Sequence, residues 1–238
     1  MPSTTPSTTT SSKHLPFTIR RYQPSDHEQV RILFRQGMES LMGDAALATI
    51  QAPALAVPTL LWSSTVAVLV SRRSTFRPWF YTVCSGLVAA SIPVAIGCYL
   101  TIQGFSSWIQ HVLEQEDMKS PEHLQIRFGG NGVFLVAEDD ATGTLLGMVA
   151  AESTPQDGVF ELRRMSVQAQ AQKRGIGKQL IRRLEHELGP TKQQIYLTCS
   201  SVQYAAHRLY ETMGFIKTKT QNYGKWQGIR FFRYEKNY

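Results

Sequence analysis

Two kinds of hydrophobic pattern divide the chain. Before about residue 43 and after about residue 125, apolar residues recur at helical or alternating spacing, which is typical of amphipathic helices and half-buried strands. Between residues 45 and 113 the chain is apolar and almost uncharged, and only the arginines of SRRSTFR (71–77) interrupt it. We therefore expect a globular α/β domain whose sequence is interrupted by an apolar insert.

The segments outside the insert predict strands and helices in a definite order. The first strand is expected over 17–23 and the first helix over 26–41, with Ser25 or Asp26 as its N-cap. Further strands are predicted over 132–139, 144–154, 159–167, 193–200, 214–223 and 229–236. Further helices are predicted over 174–188 and 202–213, each ended by a glycine, and GKWQG (224–228) is expected to turn between the last two strands.

The apolar insert predicts a membrane hairpin with apolar cores over about 54–70 and 79–102. A helix that crosses the hydrocarbon needs roughly 17–25 apolar residues, so the second core is long enough and the first only just. Prolines in both cores disturb regular helix, so a hairpin that dips into one leaflet and a buried pair of soluble helices remain alternatives. A hairpin returns the chain to its starting side, so residues 16–43 and 107–238 are expected to form one domain, with 44–106 as the insert.

Composition adds a tail and a positive charge. Residues 1–15 are rich in Ser, Thr and Pro and are predicted to be disordered. The net charge is +7, which favours phosphate-rich ligands, anionic membranes or nucleic acid without choosing among them. No nucleic-acid partner is expected, because the sequence has no basic repeat rich in aromatic residues. The three cysteines have no metal-ligand spacing, so no metal is expected.

The segment QKRGIGK (172–178) lies between the strand 159–167 and the helix that follows it. Its glycines let a ligand approach the backbone closely, and a helix N-terminus offers unpaired N–H groups and a partial positive charge. Lys173, Arg174 and Lys178 add further charge, so the segment favours a pyrophosphate. It matches neither the Walker pattern nor GxGxxG, and the alternative is a glycine turn before a solvated basic helix.

Two motifs make the chain resemble the GNAT acetyltransferase superfamily. Gln172-x-x-Gly175-x-Gly177 matches the family's Q/R-x-x-G-x-G/A, and LYETMGF (209–215) matches its L-Y-x-x-x-G-F. The order of predicted elements matches too. The resemblance implies an α/β (α+β) GNAT fold, with a mixed central sheet and flanking helices, interrupted by the apolar helical hairpin.

The position of the insert, after FTIRRYQPSDHEQVRILFRQGM, narrows the resemblance to the camello-like branch of membrane-bound N-acetyltransferases. This branch includes endoplasmic-reticulum enzymes that acetylate cysteine S-conjugates, and relatives reported to acetylate aspartate or protein lysines. The resemblance implies an acetyl-CoA-dependent N-acetyltransferase, anchored in a membrane, whose acceptor is a small amino acid such as a cysteine S-conjugate. Protein lysine acetylation and a non-catalytic module that binds coenzyme A are the alternatives.

The resemblance also implies roles for individual residues. The family's loop binds the coenzyme A pyrophosphate, here through Gln172, Lys173, Arg174, Gly175, Ile176, Gly177 and Lys178. The pantetheine arm would bind the backbone of Met165 and Val167, and Tyr210 would protonate the leaving thiolate. Many relatives have Asn seven residues before this tyrosine, where this chain has Gln203, a longer amide that still reaches towards the cofactor.

Glu161 is the candidate general base. Acetyl transfer needs a neutral amine, so a base or a water chain must accept a proton, and the oxyanion needs a donor such as a backbone N–H of the splayed strand. Period-2 alternation would place 161, 163, 165 and 167 on one face of the strand. The alternative for Glu161 is a strand-end carboxylate that faces water or pairs with an arginine. His186 and His207 are weaker candidates, and both are expected on helix surfaces; for His207, three residues before Tyr210, a position facing the same cleft is the alternative.

The acceptor and the membrane side are the least constrained by sequence. Arg163 and Arg164 lie near enough to receive the carboxylate of an amino-acid acceptor. The endoplasmic reticulum is the expected membrane, with the catalytic domain in the cytosol, where acetyl-CoA is most abundant. The arginines of 71–77 would then be lumenal, against the positive-inside rule. A shallow hairpin, or a lumenal active site supplied by a transporter, would remove the conflict. No oligomeric state is indicated.

Overall fold

The computed structural model describes residues 16–72, 78–130, 132–222 and 229–238. The predicted tail, most of the arginine loop and the predicted turn 224–228 lie outside the described residues. Seven strands form one sheet: β1 (Phe17–Arg21), β2 (Val133–Asp139), β3 (Leu145–Ser153), β4 (Val159–Val167), β5 (Gln194–Ser200), β6 (Ile216–Asn222) and β7 (Arg230–Asn237).

The sheet is mixed, in the order β1-β2-β3-β4-β5-β7-β6. Strands β1 to β4 pair antiparallel with their neighbours, β4 and β5 pair in parallel, and β5, β7 and β6 are again antiparallel. A parallel pair requires a crossover connection, and the helix between β4 and β5 provides it. The fold class predicted from the sequence is confirmed.

The helices form two layers and a hairpin. They are α1 (His27–Glu39), α2 (Met42–Ile50), α3 (Pro53–Ser71), α4 (Pro78–Leu113), α5 (Glu116–Lys119), α6 (Pro121–Gly129), α7 (Ile176–Glu187) and α8 (Tyr204–Thr212). Helices α1 and α6 and the end of α4 pack on one face of the sheet through an apolar cluster that includes Val30, Leu113 and Met148. Helices α7 and α8 pack on the other face, around Leu180, Ile195 and Tyr210.

Helix α4 is longer than the sequence pattern predicted. It runs without a break from Pro78 to Leu113, through Pro93, whereas the apolar core was expected to end near 102. The last turns carry Ser, Gln and His among apolar residues, so they remain helical although they are less hydrophobic. One end of this helix therefore belongs to the apolar insert and the other end to the globular domain.

Helices α3 and α4 pack antiparallel. A Cβ added at Gly86 would lie 3.7 Å from Ala67, and one added at Gly97 would lie 3.3 Å from Leu55. The segment Val83–Leu113 is long and apolar enough to cross a membrane, and only 6% of its most apolar window is buried. The Leu55–Ser71 part of α3 is long and apolar enough to cross a membrane only when it is joined to Pro24–Ile50, and the two are bent by 59° relative to each other.

The start of α1 differs from the expected side-chain cap. Asp26 occupies the N-cap position, yet its side chain makes no hydrogen bond to the first turn of the helix. Its carboxylate accepts hydrogen bonds from Arg20 Nη1 at 2.7 Å and Nη2 at 2.8 Å, and from the backbone N–H of Gln23 at 2.8 Å. An ion pair therefore joins the end of β1 to the start of α1.

Candidate active site

A cleft opens where β4 and β5 diverge. The two strands pair from Val159 to Glu161 on β4, opposite Gln194 to Tyr196 on β5, and then separate. A cavity of about 370 Å³ lies there, and its walls come from β4, β5, α1, α4, α8 and the start of β7. Parallel strands that part in this way expose backbone groups that a ligand can pair with.

A bulge in β4 lies on the wall of this cleft. Ala150 pairs with Arg163 and Met148 pairs with Ser166, so Arg164 and Met165 together oppose the single residue Val149. Arg164 has a left-handed φ of 54°, and both bulge residues line the cavity. The register of β4 gives Met165 no partner on β3 or on β5, so the bulge offers the cleft backbone groups that the sheet does not use.

The bulge changes which side chains share a face of β4. Arg163 donates to Glu161 and lies beside Glu152, on the face covered by α1 and α6. Met165 packs against the start of α7 on the opposite face, where its Cε lies 3.2 Å from a Cβ added at Gly177. The expectation that 161, 163, 165 and 167 share one face is therefore wrong, because the extra residue shifts the alternation by one.

The predicted phosphate loop lies between the end of β4 and α7. Lys173 and Gly175 have positive φ values of 63° and 84°, and the side chains of 172–175 are exposed. Gln172 Nε2 donates to the carbonyl of Val167 at 3.4 Å, which ties the loop to the end of the strand. Gly177 allows close packing, because a Cβ there would lie 2.9 Å from Leu209 on α8. None of residues 172–178 lines the cavity itself; the first turn of α7, with its unpaired N–H groups, packs against Met165, which does line it.

Tyr210 lines the cavity from α8. Only 4% of its surface is exposed, and its ring lies 5.9 Å from that of Phe215 and 6.0 Å from that of Tyr234. Burial raises the pKa of Tyr210, so its hydroxyl stays protonated at neutral pH. Among the described residues this hydroxyl has no hydrogen-bond partner, and it is free to donate to a ligand in the cleft.

Glu161 stands where β4 and β5 part, and it lines the same cavity. Its Oε2 accepts from Arg163 Nη2 at 2.7 Å and lies 3.5 Å from the hydroxyl of Tyr196. In the described parts of the chain its other oxygen, Oε1, makes no hydrogen bond. The arginine pairing that was the alternative for Glu161 is thus present, and one carboxylate oxygen remains available to an acceptor.

Gln203 and His207 both have partners near the end of β5. Gln203 lines the cavity, and its Oε1 accepts from the backbone N–H of Ser200 at 2.8 Å, which leaves its amide N–H groups for a ligand. His207 is half-buried rather than on the surface: Nε2–H donates to the Ser200 carbonyl at 2.9 Å, and Nδ1 lies 3.0 Å from the hydroxyl of Tyr234. Burial lowers the pKa of His207. His186 is exposed, as expected.

The sequence interpretation missed the wall opposite the splayed strands. Phe34 and Met38 of α1 line the cavity, together with Phe105 and Trp108 of α4. The spacing of three between Phe105 and Trp108 would have indicated this wall had the apolar helix been continued beyond 102. Cys199 of β5 was also missed; burial raises the pKa of its thiol to about 12, so the thiol is protonated. Over the described ranges, no three His, Cys, Asp or Glu side chains are grouped as metal ligands would be.

Comparisons with known proteins agree with this geometry. The family model of the acetyltransferase (GNAT) domain matches residues 101–238. N-acetyltransferase family 8 member 3 of Mus musculus is 30% identical over 210 residues, which cover 85% of this chain and 86% of that protein. N-acetylaspartate synthetase of Danio rerio is 28% identical over 207 residues, which cover 86% of this chain and 69% of that protein.

A solved structure shows the same fold. PaiA N-acetyltransferase from Thermoplasma acidophilum, in complex with coenzyme A, superposes with a TM-score of 0.54 at 15% identity, over 93% of this chain and 99% of that one. The two motifs, the mixed sheet with its diverging strands and the matching relatives lead to one conclusion. The chain belongs to the GNAT acetyltransferase family and is an acetyl-CoA-dependent N-acetyltransferase.

Proposed function

We propose that this enzyme is anchored in a membrane by α3 and α4, and that it acetylates the amine of a small amino-acid acceptor such as a cysteine S-conjugate. The observation that carries the proposal is the composition of the cavity wall. Phe105 and Trp108 belong to the same helix as the exposed apolar stretch Val83–Leu100, and they face the splayed strands. A small amine with an apolar substituent suits a cavity of about 370 Å³ with this wall.

The exposed side chains of the hairpin support anchoring. Leu61 on α3 and Leu87 on α4 are 66% and 68% exposed, and other large apolar residues of both helices are exposed as well. Soluble proteins rarely leave contiguous apolar surface of this kind uncovered. Helix α4 has 36 residues. At 1.5 Å per residue it is ~54 Å long, against a hydrocarbon core of ~30 Å, so its cavity-lining end would lie outside the bilayer.

Acetyl-CoA is placed by the loop and the splayed strand. The N–H groups of Lys173 to Lys178 bind the pyrophosphate, with the charges of Lys173, Arg174 and Lys178 around it. The backbone of Met165 and Val167 binds the pantetheine arm, and Gln203 donates to it from the opposite side. The thioester then lies between the bulge of β4 and Tyr210, where both can reach it.

The residues of the cleft divide the proton transfers between them. Glu161 accepts a proton from the ammonium form of the acceptor and passes it to solvent, and the neutral nitrogen then forms a bond to the thioester carbonyl carbon. The nitrogen of this tetrahedral intermediate is positively charged, and it gives its second proton to Glu161. A backbone N–H of the bulge donates to the oxyanion. When the carbon–sulfur bond breaks, Tyr210 gives its proton to the thiolate, and coenzyme A leaves as the thiol. The tyrosine regains a proton from solvent, and Glu161 releases one.

The small acceptor is supported by the arginines and by the relatives. Arg163 lines the cavity with a side chain that is 35% exposed, so it can turn from its carboxylate partners to the carboxylate of an acceptor. Arg164 is only 10% exposed, and its Nε and Nη2 already donate to Asp117 and Gln115. The name of the Danio rerio relative states that it makes N-acetylaspartate, an acetylated amino acid. For the location we propose the endoplasmic-reticulum membrane, with the catalytic domain in the cytosol.

Turnover with a panel of acceptors tests this proposal. Full-length protein in detergent is given acetyl-CoA with S-benzyl-cysteine, S-methyl-cysteine, aspartate or a lysine peptide, and thiol release is followed. Trp108→Ala is expected to raise the KM for S-benzyl-cysteine about 10- to 100-fold, since burying an aromatic group contributes roughly 1.5–3 kcal/mol, and to leave the KM for S-methyl-cysteine nearly unchanged.

Trp62→Ala is the matched control, because Trp62 is 50% exposed on α3 and does not line the cavity. Equal effects of the two substitutions would contradict an acceptor site against α4. Turnover of the lysine peptide alone would contradict the small acceptor. Recovery of the protein in the soluble fraction after centrifugation of detergent-free cell extracts would contradict the membrane anchor.

A further inference from the structure

We propose that Asp117 is a positioning residue, which acts through Arg164 to hold the bulge of β4 in the geometry that acetyl transfer needs. The inference rests on the proposed function, in which a backbone N–H of the bulge donates to the oxyanion. Asp117 lies on α5, directly after the long apolar helix α4, and is 2% exposed. Nothing in the sequence motifs points to it, because it is some 50 residues from β4.

The backbone of Arg164 needs support from its surroundings. Its φ of 54° is left-handed, a conformation that costs a residue with a Cβ free energy that glycine would not lose. Such residues persist where the rest of the structure over-determines them, and they are concentrated at functional sites. The position holds the arginine and not a glycine, so the side chain itself is expected to provide the restraint.

The side chain of Arg164 makes three hydrogen bonds and one contact with an aromatic ring. Its Nε and Nη2 donate to Asp117 Oδ2 at 3.1 and 2.7 Å, and Nη2 also donates to Gln115 Oε1 at 3.1 Å. The guanidinium carbon lies 5.4 Å from the centre of the Phe34 ring. The Arg164 side chain is only 10% exposed, so these contacts fix both the guanidinium and the bulge that carries it.

Asp117 has a second, more distant ion-pair partner, Arg127. Its Oδ1 lies 3.4 Å from Arg127 Nη1 and makes no hydrogen bond within the described residues. Arg127 is bound by Glu152, with two hydrogen bonds of 3.0 Å. The hydrogen bonds of the Asp117 carboxylate therefore go to Arg164, with Arg127 as a more distant ion-pair partner, and without the charge of Asp117 the Arg164 guanidinium would lose its only direct carboxylate among the described side chains.

The segment that carries Asp117 is itself fixed. Arg31 of α1 donates through Nη1 to the carbonyl of Leu113, the last residue of α4, at 2.9 Å, and also to the carbonyl of Met118. Both carbonyls belong to the junction between α4 and α5. The end of the apolar helix is thus bound to α1 on one side and to the bulge on the other, so the position of α4 and the geometry of the cleft are coupled.

Steady-state kinetics of full-length Asp117→Asn protein test the inference, with Asp26→Asn as the matched control. Asp26, at the start of α1, accepts two hydrogen bonds from Arg20 of the first strand, at 2.7 and 2.8 Å, away from the cavity; its side chain is 5% exposed and that of Arg20 is 27% exposed. Asp117→Asn is expected to lower kcat about 10- to 100-fold, since misplacement of reacting groups by ~1 Å can cost ~100-fold. Its KM for acetyl-CoA should stay within about threefold, because the pyrophosphate loop is untouched.

Further variants separate positioning from simple destabilisation. Asp117→Glu keeps the charge and should recover most of the kcat that Asp117→Asn loses. Arg164→Lys keeps the charge but loses the two-atom geometry, and should lower kcat as Asp117→Asn does. The double variant should be no worse than either single one, because both remove the same contact.

Two different failures can be told apart. If Asp117→Asn and Asp26→Asn give the same kcat at equal thermal stability, or if the effects of the double variant add, the inference is overturned and the proposed site stands. If Tyr210→Phe and Glu161→Gln keep full kcat, the proposed chemistry of the cleft is wrong, whatever Asp117 does.

Discussion

Two buried tyrosines with neighbouring rings allow the role of Tyr210 to be tested against an internal control. Tyr210 and Tyr234 are 4% and 1% exposed, and their ring centres are 6.0 Å apart. Tyr210 lines the cavity and its hydroxyl has no hydrogen-bond partner among the described residues, whereas the hydroxyl of Tyr234 lies 3.0 Å from His207 Nδ1 and 3.0 Å from Glu211 Oε1. Removing the Tyr234 hydroxyl should therefore lower the stability of the protein and spare catalysis. Removing the Tyr210 hydroxyl should spare stability and lower the catalytic rate.

The magnitudes follow from these contacts. Tyr234→Phe removes the hydrogen bond that this hydroxyl donates to the Glu211 carboxylate, worth roughly 1.5–3 kcal/mol, so the free energy of unfolding should fall by about that amount. Tyr210→Phe removes a buried hydroxyl that bonds nothing, so stability should change by less than about 0.5 kcal/mol or rise slightly. If Tyr210 is the acid, kcat should fall about 100-fold or more, while Tyr234→Phe stays within a few-fold of the wild type.

The measurements are denaturant unfolding in detergent and thiol release from acetyl-CoA with a saturating amine. The separation of the two effects is the test, since a structural tyrosine would lose stability and activity together. The reasoning is refuted if Tyr210→Phe is as unstable as Tyr234→Phe and retains its kcat.

Three further predictions follow from single residues. Gly175→Ala should lower stability by about 1–2 kcal/mol in denaturant unfolding and raise the KM for acetyl-CoA, because φ is 84° there. Burial lowers the pKa of His207, so its contribution to stability is complete above about pH 6.5, the unfolded pKa, and declines below it; unfolding across pH 5–8 should lose this component in His207→Gln. Iodoacetamide at pH 8 should modify Cys199, which is 5% exposed and whose pKa is raised to about 12, only after the protein is denatured; labelling of Cys199 in the folded protein, detected in peptide mass spectra, would contradict this.

Local patterns predicted the seven strands of the globular domain and its helices α1, α7 and α8, but not the short helices α5 and α6. Strand β4 was expected over 159–167 and is found there, because its ends are marked by turn residues and its apolar positions are clear. The apolar insert gave no such information. A segment that is apolar on every face shows no helical periodicity. Neither the separate helix α2 nor the extension of α4 to Leu113 could therefore be predicted from it.

The candidate site, too, was predicted from the sequence only in part. The loop at 172–178 and Tyr210 were found because each lies in a short motif on one element. The bulge at Arg164 was not found, since it depends on how many residues β3 places opposite β4. The partners of His207 and Arg164 come from β7 and α5, which are distant in sequence, so local periodicity carries no signal for them.

Hydrogen exchange with and without coenzyme A tests the central claim most directly, because it shows where the cofactor binds. Full-length protein in detergent would be digested after exchange, and the peptides that cover 162–167 and 172–178 compared with those that cover the far end of α7, around 184–189. The account predicts that coenzyme A slows exchange in the first two segments and leaves the third unchanged. Protection confined to other parts of the chain, with 162–167 and 172–178 unaffected, would contradict the cleft between β4 and β5 as the site of acetyl transfer.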